Sequence, residues 1–150
     1  GNSKLALELT AIFNDSIDFR RDLRKGDKIS IIYKRKIRLG RTWGLPSIEA
    51  AFIETNKRRH YAFWSERQQG FFDQKGDYPV DKRKLKSYVV DLKYDNLNIS
   101  FWKSKKSGRW WVEVPRTKGK SVLMPCSQKE YESCAAGILS DNLVEMLESF

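Results

Sequence analysis

His60 is the only histidine in this sequence, and Cys126 and Cys134 are its only thiols. Metal-assisted hydrolysis needs several imidazole, thiolate or carboxylate donors converging on one ion. A lone imidazole beside Arg58 and Arg59, in an alternating stretch, reads as a structural or exposed side chain. The cysteines have neither a CxxC spacing nor a second pair, so they do not suggest zinc. In an oxidising compartment they could close a loop, worth roughly 2.5 kcal/mol by the chain-entropy estimate. Against this, Ser127-Gln128-Lys129-Glu130 reads as a capping box, and a helix starting there holds the two Cα atoms roughly 10 Å or more apart. A Cys126–Cys134 disulfide is therefore an open alternative that would require a later helix start. No G-x-S-x-G elbow, Walker-type loop or G-x-G-x-x-G helix opening occurs. A carboxylate pair for glycoside cleavage would have to be drawn from 19 acids, most of them in turns or a terminal helix. Cys–His catalysis through His60 is weaker still. The expectation is a protein without catalysis, metal or cofactor.

Binding is the remaining chemistry, and charge points the same way. The formal net charge is +10, which suits polyanions of any kind, including nucleic acid, lipid head groups and cell-wall carboxylates. The body is basic, whereas the tail beyond Cys126 carries Glu130, Glu132, Asp141, Glu145 and Glu148 against Lys129. Two cationic clusters are candidates for a polymer or partner: Arg20, Arg21, Arg24 and Lys25, and the strand face Lys34, Lys36 and Arg38. Trp43, Trp64 or Trp111 could stack on sugar rings beside them. The competing reading is a solvated strand face for the charges, with Trp102, Trp110 and Trp111 shared between core and cross-strand pairs. Lys103, Lys105, Lys106 and Arg109 among these aromatics would suit single-stranded nucleic acid, but no RNP-like or KH-like motif accompanies them.

The elements that must position these residues follow from periodicity. Leu5, Leu7, Leu9, Ile12 and Phe13 predict a helix stopped at Asn14-Asp15-Ser16. Asp18 caps a second short helical turn that places Phe19 and Leu23 together and ends at Gly26. From Lys28 to Leu39 the period becomes two, predicting a half-buried strand with Ile29, Ile31, Tyr33, Ile37 and Leu39 inward and the cations outward. Residues 40–46 are expected to turn, with Ile48, Ala50 and Phe52 on one face of the returning strand. His60 to Trp64 and Gly70 to Phe72 are further strands, and Asp73 to Asp77 is a turn. Pro79 and Asp81-Lys82-Arg83-Lys84 mark a boundary, giving expected domains of 1–80 and 81–150. Beyond it a β-meander is expected at 88–92, 97–102 and 110–114, with a last strand at 120–124. Ser140 then caps a short helix with Leu143, Val144 and Leu147 on one face. The fold class is α+β: N-terminal helices, a small antiparallel sheet, then a β-meander with a C-terminal helix. No apolar run reaches the roughly 18 residues needed to span a bilayer, and the first residues lack the apolar stretch of a signal peptide.

The stretch from Leu5 to Tyr33, followed by Ile48 to Ile53, Tyr61-Ala62-Phe63 and Phe71-Phe72-Asp73-Gln74-Lys75-Gly76, resembles a known domain. It is similar to the one preceding the zinc domain in Gram-negative LytM-type (lysostaphin-like) peptidoglycan endopeptidases. There a helix, a basic glycine-ended segment and a strand lead into a tyrosine-rich hairpin and an aromatic pair before an Asp-x-x-Gly turn. The resemblance covers about residues 1–80; the rest resembles no family. It implies a periplasmic or cell-envelope location and a partner that is either a LytM-type endopeptidase, which the module inhibits or adapts, or peptidoglycan itself. Nucleic acid is not the partner it implies. The family's zinc site needs more than one histidine, so its catalytic domain is absent from this chain.

Overall fold

A computed structural model describes residues 2–55 and 58–149. Among these residues the architecture is α+β, with two four-stranded antiparallel sheets and three α-helices. The chain forms two compact units, residues 1–79 and 80–150.

In the first unit, helix α1 (Asn2–Phe13) buries Leu5, Leu9 and Phe13, which recur every four residues and so form one stripe. Leu7 falls off that stripe and is 72% exposed. After α1, the Asp18 carboxylate accepts the backbone N–H of Arg20 and Arg21, and Asp22 accepts that of Asp18. This reciprocal cap holds one hydrogen-bonded turn, which does not propagate into the short helix expected there. Strands β1 (Lys28–Arg38), β2 (Arg41–Thr55), β3 (Arg58–Ser65) and β4 (Gly70–Phe72) then pair in sequence order. Ile17, Ile48, Ala51, Ile53 and Ala62 close the core against α1, with Phe19, Leu23 and Ile31 at its margin.

Three expectations fail in the β1–β2 hairpin. Residues 40–46 are not a loop: Arg38 pairs with Arg41, so the turn is Leu39-Gly40 alone. Both have positive φ, 53° and 76°, the signature of the type I′ turn whose twist matches a hairpin. Nor is β1 half-buried. Ile31 is its single partly buried residue, while Ile32, Tyr33, Ile37 and the turn's Leu39 are exposed. The strand outruns the core, because α1 covers only the base of the hairpin. The third misreading is one of phase: Ile32 pairs with Ala50 but Tyr33 with Ile48, leaving Glu49 as an extra residue in β2. This bulge puts Ile48 on the face of Ala51 and Ile53 rather than that of Ala50 and Phe52. Glu8 of α1 reaches over, and its Oε1 accepts the Ile48 N–H at 3.4 Å.

The second unit is a meander of β5 (Leu85–Leu92), β6 (Leu97–Ser104), β7 (Trp110–Val114) and β8 (Val122–Cys126), followed by α2 (Gln128–Ala135) and α3 (Asp141–Leu147). The last strand begins two residues later than expected and runs up to the Ser127 cap. One sheet face, carrying Val90, Leu92, Ile99, Phe101, Trp110, Val112, Val114 and Val122, packs with Cys134 and Leu143 of the helices. Tyr131 of α2 stacks on Trp110 at 4.4 Å and meets Phe101 and Tyr88 edge-on.

Candidate functional site

The β1–β2 hairpin gathers the second cationic cluster. Lys36 lies opposite Trp43 and Arg38 opposite Arg41, and alternate residues of β1 share a face. Lys34, Lys36, Arg38, Arg41 and Trp43 therefore form one surface. The Lys36 ammonium sits 5.5 Å from the Trp43 ring centre, and Trp43 is 54% exposed. No carboxylate occurs between Lys28 and Ile48. Arg35, absent from the sequence candidates, lies 5.3 Å from the Tyr33 ring. Opposite it, Gly44 to Pro46 break the ladder between the Lys34–Ser47 and Lys36–Trp43 pairs.

At the base of the hairpin lies a cleft of about 460 Å³ lined by both charge signs: Lys34, Arg35 and Lys36 against Glu8, Glu49 and Glu66, with Trp64 and Phe71 as its apolar wall. Lys34 approaches Glu49 at 3.5 Å, and the Trp64 indole donates to Glu66 Oε1 at 3.0 Å while its ring tilts against Phe71. The three glutamates come from α1, β2 and the β3–β4 connection. Nothing in their sequence spacing announces that they meet; Glu49 enters only through the bulge.

The remaining candidates are placed elsewhere. Arg20, Arg21, Arg24 and Lys25 are exposed on the capped turn after α1. Arg21 reaches Asp18 only at 3.9 Å, with its side chain 87% exposed. Trp111 is 1% exposed and so is not a surface for a sugar ring. It stands in interior strand β7, between Trp102 and Pro125 on the flanking strands, with the Arg109 guanidinium 4.8 Å from its ring. Cys126 and Cys134 are not bridged. The capping box forms: Ser127 Oγ accepts the Glu130 N–H and Glu130 Oε1 accepts the Ser127 N–H, both at 3.0 Å. The helix it starts carries Cys134 roughly 10 Å along the axis from that cap. Burial pushes both thiols up, with Glu130 adding to the effect at Cys126, which reaches about 12.

His60 is half-buried opposite Ile53, edge-on to Phe13 with ring centres 6.5 Å apart. Among the described residues no three His, Cys, Asp or Glu side chains gather as a metal site, and no helix is long and apolar enough to cross a membrane.

In comparisons with known proteins, no family model and no curated protein matches this chain. Two crystal structures of Csd3 from Helicobacter pylori are similar to it. The orthorhombic form is 20% identical with a TM-score of 0.47, and the hexagonal form 21% identical with a TM-score of 0.44. Each alignment covers 83% of this chain, and 48% and 46% of the respective Csd3 chains. The chain thus spans about half the length of these structures. A likeness of this degree carries no argument about its activity.

Proposed function

We propose that this protein is a non-catalytic module of the Gram-negative cell envelope that regulates a LytM-type peptidoglycan endopeptidase, docking on it through the β1–β2 hairpin. The observation that carries this reading is the exposed hairpin, with Trp43 on the face of Lys34, Lys36, Arg38 and Arg41, Ile37 on the opposite face and Leu39 at the turn. Tryptophan and arginine beside solvent-facing aliphatic groups form the composition of protein-binding hot spots, and a preformed hairpin loses little entropy on docking. The resemblance of about the first 80 residues supplies the class of partner. The test is a peptidoglycan-digestion assay with the LytM-type peptidases of the source organism, with and without the protein. A change in rate that Lys36→Glu with Arg38→Glu abolishes supports the reading. No effect on any such peptidase, and no co-purification with one, defeats it.

A second reading, direct peptidoglycan binding, is favoured by the cleft. Its paired cations and carboxylates beside Trp64 complement a polymer whose sugar rings carry peptides with both acidic and amino groups. Sedimentation with purified sacculi, lost on Glu49→Lys together with Glu66→Lys, would support it. Sedimentation unaffected by those changes and by Lys34→Glu would sink it.

A further inference from the structure

We propose that the second unit carries a separate oxyanion site, at the end of β5 and β6 beside the β6–β7 turn, that takes a phosphate group. The groove there, about 440 Å³, is lined by Lys86, Lys103, Lys105, Lys106 and Tyr88 with the serine-rich turn, and no carboxylate of the described residues lines it. Lys86 and Lys103 are directly opposed across the β5–β6 ladder. Like charges at directly opposed positions destabilise a sheet, so a fold selected for stability alone gains nothing from this pair.

Aromatic rings hold the Lys86 and Lys103 charges in place. The Lys86 ammonium lies 5.3 Å from the Tyr88 ring centre and that of Lys103 lies 5.5 Å from Trp110. Those rings are fixed by each other at 5.2 Å and by Tyr131. A cation on a ring face is stabilised without being neutralised, so its full charge remains for a ligand. The Trp110 indole N–H beneath Lys103 is buried without a hydrogen-bond partner, so donors outnumber acceptors around the groove. The turn is rigid: Ser104, 1% exposed, accepts the N–H of Lys106 and Ser107 on its Oγ, donates its own N–H to Arg109 at 2.8 Å, and accepts from Gly108 on its carbonyl. Gly108, at φ 75°, supplies the left-handed residue that closes it. Several flexible ammonium groups lining one groove suit the spread charge of phosphate better than a planar carboxylate, for which arginine is the matching donor.

The site is independent of the hairpin, and its test separates the two. Inorganic pyrophosphate titrated into the full chain at low ionic strength is expected to shift the amide resonances of residues 104–108 saturably. Lys103→Gln with Lys105→Gln should weaken that binding ten-fold or more, whereas Lys34→Gln with Lys36→Gln should leave it unchanged. The first variant should melt at the same temperature as the parent or higher, because the opposed charges are relieved; a binding loss explained by unfolding would lower it. Vesicles of phosphatidylglycerol, compared with phosphatidylcholine, distinguish the source of the phosphate. Retention on the anionic vesicles that the first variant loses assigns a lipid headgroup, and pyrophosphate binding alone assigns a soluble phosphate. Shifts spread over all basic surfaces, or binding that survives the first variant, overturn the proposal.

Discussion

Glu113 joins three elements of the second unit through its carboxylate. Trp102 Nε1 donates to its Oε1 at 3.0 Å, Lys82 pairs with the same oxygen at 3.0 Å, and Ser121 Oγ donates to Oε2 at 2.6 Å. Partial burial pushes this carboxyl up, but the bonds from Ser121, Lys82 and Trp102 together outweigh it and leave it below its usual value. Glu130 is likewise lowered: burial raises it, and Asn142 and Ser127 more than compensate. A carboxyl depressed in the folded state binds its proton more readily when unfolded, so its stabilisation is present above the ordinary value of 4.5 and is lost as pH falls through the folded value. Chemical denaturation between pH 6 and pH 3 should therefore show stability falling below about pH 4.5, and Glu113→Gln should flatten that fall while costing about 1–2 kcal/mol at pH 7. The cysteines have the opposite sign. Their thiols are raised, so the stability they contribute is complete below pH 9 and lost as pH rises above it, for Cys126 towards 12. At pH 8 the native protein should react slowly with a thiol reagent and reveal two thiols when denatured. Rapid labelling without denaturant would contradict the buried placement of Cys134.

At the level of elements, what the residue pattern announced depended on whether the decisive interaction was local. The box at Ser127 and Glu130 lies within four residues, and α2 starts where it says. The cap at Ser140 and the Asx turn at Asp73, whose Oδ1 takes the N–H of Lys75 and Asp77 at 2.9 Å, were equally legible. The hairpin was not, because alternation reveals a strand but not how much of it a neighbour covers; α1 is too short to reach Ile37. The bulge at Glu49 was invisible for a related reason: an extra residue leaves composition unchanged and only inverts phase. Trp111 looked available because Trp110 beside it fills one face, yet both faces of β7 are closed. Candidate residues in the hairpin could thus be picked out by charge, while the glutamates completing the cleft could not. The turn gives its own prediction. Leucine at positive φ costs roughly 1–2 kcal/mol, and Asn is favoured there in a type I′ turn. Leu39→Asn should raise the melting temperature by an amount equivalent to about 1 kcal/mol while weakening hairpin-mediated docking; a lower melting temperature would show that Leu39 has an intramolecular contact to lose.

The described residues form two hydrophobic cores, one in each unit, the first closed by β1 to β4 with α1 and the second by β5 to β8 with α2 and α3. Removing a large side chain from one core should be felt first within it. Phe101→Ala, expected to cost about 3–5 kcal/mol, should collapse amide-exchange protection across β5 to β8, and Ile53→Ala, at about 2–5 kcal/mol, across β1 to β4. Equal loss everywhere from either change would mean the units unfold as one. The order of the first sheet has a further consequence. Its outer strands are β4, which has only three residues, and β1, which has eleven. A long, uncovered outer strand is a template on which another chain can extend the ladder. On β1 that template carries Lys28, Lys34, Arg35, Lys36 and Arg38, so a second copy approaching edge to edge meets its own charge. The same cations oppose polymerisation through this edge, and salt, which screens them, should be what lets self-association begin.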